Sequence, residues 1–87
     1  MTTGADDLRG TLAGMIAAAS DGEISAEQAL AGRYSLAALG LTSLALVRLI
    51  DAIEDAFGVD LDLGADLSAF DNVEAIASQV ATALAAR

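Results

Sequence analysis

"ALGLTSLALVRLIDAIEDAFGV", residues 38–59, decides the fold. At an α-helical turn of about 100° per residue, Leu46, Leu49, Ile50, Ile53 and Phe57 fall on one stripe, and Arg48, Asp51 and Asp55 lie opposite. The spacing predicts a helix from about Ser43 to Phe57 with one face in a core. Gly58 is placed to end it, since the residue after a helix often takes a left-handed conformation that costs glycine little. Two apolar residues break the pattern. Leu44 and Val47 sit on or beside the polar face, within a turn of Ser43 and ringed by Asp51, Glu54 and Asp55. For either residue alone, a bland explanation (cover by a neighbouring loop, or a single exposed apolar residue) weighs the same as a docking role. Together they match an apolar anchor inside a charged rim, the pattern of a helix presented to a basic partner.

Outward from this helix, Asp6 to Ala19 places Leu8, Leu12, Met15 and Ile16 on one face, with Asp6 and Asp7 at the positive end of the helix dipole. Ser20-Asp21-Gly22 ends that helix. A long connection, Glu23 to Leu41, follows, with an extra turn suggested at Ser25–Leu30. After Gly58, "VDLDLGADLSAFD" alternates briefly, but a lone strand would have no partner, so it reads as loop plus a short helix near Ala65–Phe70. The last helix starts at Asp71 or Asn72 and ends near Ala86. Asp71 with Glu74 resembles a capping box, and Asn72 is an equally good N-cap. Val73, Ile76, Val80 and Leu84 form its apolar stripe. The expected architecture is an all-α, small four-helix bundle: three long helices, a long first loop and one short helix before the last. Residues 1–87 make a single domain, with 1–5 as a disordered tail.

Composition supports this reading. Alanine is abundant, proline absent, and the only aromatic residues are Tyr34, Phe57 and Phe70, a balance that favours helix over strand. Thirteen acids against four arginines give a formal charge of −9. Such a surface repels phosphate backbones and anionic lipid, which argues against nucleic acid and membrane partners and for proteins with basic patches. The longest uncharged stretch, Tyr34 to Val47, is shorter than the roughly 20 apolar residues that span a bilayer. The N-terminus carries acids where a secretion signal would carry lysine or arginine. A cytoplasmic location is expected.

Ser43 stands at the front edge of the middle helix. With no histidine, cysteine or lysine in the chain, it lacks the general base that a serine nucleophile needs. Zinc is disfavoured, with carboxylates alone on offer. "SDGEISAEQ" echoes half of an EF-hand loop, but in that register Ala17 and Ala19 fall where ligands belong and Gln28 replaces the bidentate acid. Asp60, Asp62 and Asp66 read as a solvated acidic loop, with weak divalent binding as the alternative. The domain is therefore expected to catalyse nothing itself, and its serine to be acted on by another protein.

"LAALGLTSLALVRLIDAIEDAFGVDL" resembles the Leu-Gly-x-Asp-Ser-Leu segment and following helix of acyl carrier proteins. "FDNVEAIASQV" is similar to that family's last helix, and the likeness spans about residues 8 to 84. The resemblance implies that Ser43 is esterified by 4′-phosphopantetheine, delivered from coenzyme A by a phosphopantetheinyl transferase that supplies the missing activation. The reactive group is then the arm's terminal thiol, so a chain without cysteine holds thioesters. Implied partners are that transferase and acyl- or aminoacyl-loading enzymes, ketosynthases, acyltransferases or condensation-type enzymes with basic docking patches. They would meet a monomeric carrier on Thr42, Leu44, Val47, Arg48, Asp51, Glu54 and Asp55, with the Asp60–Asp66 loop contributing.

Three residues depart from the family pattern. Thr42 stands where aspartate is usual, Arg48 where the position is often acidic, and Asp51 where it is often apolar. These changes point away from a general fatty-acid carrier and toward a dedicated pathway, of polyketide or related secondary-metabolite biosynthesis. A peptidyl or aminoacyl carrier of a non-ribosomal peptide pathway is the nearest alternative. An acidic interaction domain that keeps the fold without the arm is a third reading. The Met1 start favours a free-standing protein over an excised domain.

Overall fold

The computed structural model describes residues 4–61 and 70–86. They form four α-helices: α1, Gly4–Ala19; α2, Ala26–Ala31; α3, Ser43–Phe57; and α4, Val73–Ala85. No strand occurs among the described residues. The all-α bundle expected from the sequence is the fold observed. α1 touches each of the other three helices, and its buried face of Leu12, Ala13 and Ile16 is the centre of the core.

α1 starts at Gly4, two residues before the expected Asp6, so Gly4 and Ala5, read as tail, are helical. It ends where expected. Asp21 and Gly22 both take positive φ, 54° and 83°, and the Gly22 N–H donates to the Ala17 carbonyl at 2.9 Å. Ser20, buried at this corner, accepts from the Ile24 N–H at 3.1 Å and so pulls Ile24 into the core.

The suggested extra turn is a six-residue helix. Ser25 Oγ accepts from the Gln28 N–H, and the Gln28 side chain accepts from the Ser25 N–H. This reciprocal capping box lets a helix of under two turns persist. It ends at Gly32, in the left-handed region at φ 65°. The fourth helix among the described residues thus lies inside the long first connection. Of the short helix expected at Ala65–Phe70, all but Phe70 lies outside the described residues, and Phe70 is buried in the core.

α3 runs as its pattern dictates. Leu49, Ile50 and Ile53 are fully buried, and Leu46 and Phe57 pack half-buried against the same cluster. Gly58, at φ 66°, ends the helix, its N–H donating to the Glu54 carbonyl. On α4, Val73, Ile76 and Val80 are buried, whereas Leu84 is exposed and falls off the end of the stripe.

Candidate functional site

Ser43 is the first residue of α3, and its side chain is exposed. Two local features put it there. Thr42 is extended, and its Oγ1 accepts from the Ala45 N–H at 3.0 Å while its carbonyl accepts from Leu46. Threonine is a competent N-cap, so the helix start survives without the usual aspartate. Behind Thr42, Ser35 Oγ accepts from the Ala38 N–H, and the Leu41 N–H returns to the Leu36 carbonyl. This tight turn buries Leu36 in the core and delivers Gly40, at φ 110°, to the cap.

Asp71 anchors the turn from across the fold. Its carbonyl accepts from the Leu36 N–H at 2.8 Å, and its carboxylate from the Ala37 N–H at 3.5 Å. Asn72 is the N-cap of α4, accepting from Ala75 at 2.7 Å. The choice between Asp71 and Asn72 left open by the sequence is settled in favour of Asn72, and Asp71 acts as a clamp on the loop before Ser43.

The first N–H groups of a helix have no intrahelical acceptor. In α3 the Ala45 and Leu46 N–H groups are taken by Thr42, while those of Ser43 and Leu44 have no acceptor among the described residues. Two free donors at the positive end of a fifteen-residue helix, beside an exposed hydroxyl, suit a phosphate attached to that hydroxyl. Beside Ser43 lies a cleft of about 150 Å³ floored by Leu36, Leu41, Leu46 and Phe70.

A family profile described as a phosphopantetheine attachment site matches residues 11–80. The chain belongs to the phosphopantetheine-binding family of acyl carrier proteins. Comparisons with curated proteins and with solved structures gave no match. The carrier therefore bears a covalently attached 4′-phosphopantetheine group, and carriers of this family meet a phosphopantetheinyl transferase and the enzymes of their pathway.

The exposed face of α3 brings together most of the residues singled out from sequence. Leu44 is 62% exposed and Val47 43%, with Arg48, Asp51 and Asp55 exposed around them. Glu54 is different. It is half-buried, and its Oε2 accepts from the Leu61 N–H at 2.8 Å, tying the chain after Gly58 back onto the helix. Of the loop Asp60–Asp66, residues 62–66 lie outside the described residues. No helix among the described residues is long and apolar enough to cross a membrane.

The Thr42 cap is testable by itself. Thr42→Ala is expected to cost about 1 kcal/mol, and Thr42→Asp nothing, because aspartate caps as well and favours the helix dipole. Urea unfolding of the three proteins measures both.

Proposed function

We propose that Ser43 carries the arm and that the carrier presents acyl intermediates, as thioesters on it, to enzymes of polyketide or related secondary-metabolite biosynthesis. The observation that carries the attachment site is the exposed Ser43 hydroxyl at the first position of α3, with the Ser43 and Leu44 N–H groups open beside it. The chain's own part is delivery. It holds no histidine, lysine or cysteine, so activation of the hydroxyl falls to the transferase and reactivity to the arm's thiol. The intact mass of the purified protein, before and after coenzyme A and a broad-specificity transferase, tests this. A gain of one phosphopantetheine is expected. No gain, even with the transferase of the source organism, would refute the reading.

Partners dock on Thr42, Leu44, Val47, Arg48, Asp51 and Asp55, with Glu54 holding the edge of the face in shape. Leu44 and Val47 supply the apolar anchor, and the acids steer a basic patch onto it. Individual surface ion pairs are weak and screened by salt, which suits a shuttle that must let go. The double variant Asp51→Lys/Asp55→Lys should slow loading at low salt by about tenfold or more, and the gap should close as salt rises. Initial rates of loading against ionic strength measure it. Equal rates at low salt would remove this face from the docking surface.

A further inference from the structure

Ser43 itself lines the cleft of about 150 Å³ beside it, together with Leu36, Leu41, Leu46, Phe70 and the half-buried Asp71. Leu36 and Phe70 are buried in the core. Leu41 and Leu46 pack against that core yet stay only half-buried, so apolar surface stands open next to an exposed hydroxyl. We propose that this cleft seats the branched carbon of the arm, the one that bears two methyl groups next to the phosphate, and leaves the far end of the arm and its cargo outside. This deepens the reading above and rests on Ser43 as the attachment residue.

Three physical points carry the assignment. The first is reach. Ser43 and Leu46 stand three residues apart on α3, which makes them neighbours on one side of the helix. The dimethyl carbon is joined to the phosphate through one oxygen and one methylene, so attachment at Ser43 holds it within range of this wall. A tether of that kind fills a weak site by high local concentration rather than by affinity. The second is polarity. The cleft floor is hydrocarbon, and the Asp71 carboxylate turns away the phosphodiester by like charge. What enters is therefore neutral and apolar, and next to the phosphate only the dimethyl carbon answers to that. The neighbouring cleft past the Thr42 cap holds Asp21, Glu23 and Arg48 in its wall and does not include Ser43. The third is size. Pockets that enclose a small ligand start at about 300 Å³. A cleft of about 150 Å³ takes a group of a few carbons and not the whole arm.

The isolated holo-protein tests this, since the arm is present in it and no enzyme is. Carrier labelled with ¹³C and ¹⁵N would be loaded from unlabelled coenzyme A, so that isotope-filtered NOEs report contacts between arm protons and protein protons. Wild type, Leu46→Gln and Leu30→Gln would be compared, each checked by its mass gain. Leu30 lines a separate cleft and serves as the control. Leucine and glutamine have similar helix propensity, and circular dichroism checks the fold.

In the wild type, the arm's two methyl groups are expected to show NOEs to the Leu41 and Leu46 methyls and to the Phe70 ring. Their lines should also move from their positions in free coenzyme A. In Leu46→Gln the NOEs should weaken and the lines return most of the way, whereas Leu30→Gln should match the wild type. If Leu46→Gln loses its fold, the wild-type contacts decide alone. Methyl lines at the free coenzyme A positions, without NOEs to the cleft, would overturn the assignment and leave the carrier reading intact. Cleft NOEs from the methylenes beside the thiol, in place of the methyls, would do the same. Absence of any mass gain on the wild type would overturn both.

Discussion

Ser43→Ala is expected to abolish loading completely and to leave the fold untouched. In the proposed reading, the loading step forms a P–O bond between Ser43 Oγ and the pantetheine-bearing phosphorus of coenzyme A. It breaks the P–O–P bridge of that molecule, releases adenosine 3′,5′-bisphosphate, and passes the hydroxyl's proton to the transferase. Alanine offers no atom for the new bond, so the result is a loss rather than a reduced rate. The structural cost is small for two reasons. Ser43 is exposed and its hydroxyl makes no hydrogen bond among the described residues, and alanine is at least as good a helix former. Surface changes of this kind usually stay within about 0.5 kcal/mol. Intact mass reads the loss, and a thermal melt reads the fold. The variant also decides between hydroxyls. Ser20, Ser25 and Ser35 are each engaged as acceptors of backbone N–H groups, and Ser78 lies inside α4, away from any helix start. One arm gained by Ser43→Ala would move the site to a neighbour such as Thr42 and defeat the assignment.

What was legible in the sequence follows from the range of the interactions. α3 could be read to the residue because its determinants are local: a stripe of apolar side chains at helical spacing, Thr42 in front and Gly58 behind. The same holds for the corner at Ser20–Gly22. α2 was visible only as a suggestion, since a helix under two turns long has no periodicity to detect. Its signal was the Ser25–Gln28 capping pair, which the pattern "SAEQ" does contain. The clamp of Asp71 on Leu36 and Ala37 had no local signal, because the nearer partner, Ala37, stands 34 residues away. A sequence reader sees Asp71 three residues before Glu74 and infers a cap, and only the tertiary fold reveals the other use. Glu54 shows the same limit. On a helical wheel it is a rim acid, whereas in the structure its carboxylate is occupied by the Leu61 N–H. The place of Ser43 at a helix start was legible from the same local signals, whereas the role proposed for its hydroxyl came from the resemblance of its segment to acyl carrier proteins and not from the spacing or composition.

The two faces of α3 should separate stability from delivery. Ile53 is fully buried, and Val47, six residues earlier, is 43% exposed. Ile53→Ala removes methyl groups from a closed core and leaves a cavity, with an expected cost of about 2–5 kcal/mol. Domains gain only about 0.05–0.15 kcal/mol per residue in net stability, so in a chain this small the loss takes a large share of the total. At about 4–8 °C per kcal/mol, a 3 kcal/mol loss lowers Tm by about 12–24 °C. Below the new Tm the folded molecules still present Ser43 and the outer face, so loading per folded molecule should match the wild type. Val47→Ala should do the reverse. Part of its side chain is already in water, and its melt should stay within a few degrees, while loading slows because the docking anchor is shortened. Calorimetry and loading rates on the same samples make the comparison. If Val47→Ala melted as early as Ile53→Ala, Val47 would belong to the core and the anchor would reduce to Leu44. If neither variant changed the loading rate of folded protein, the apolar part of the docking face would be wrong, and charge alone would have to bring the transferase to Ser43.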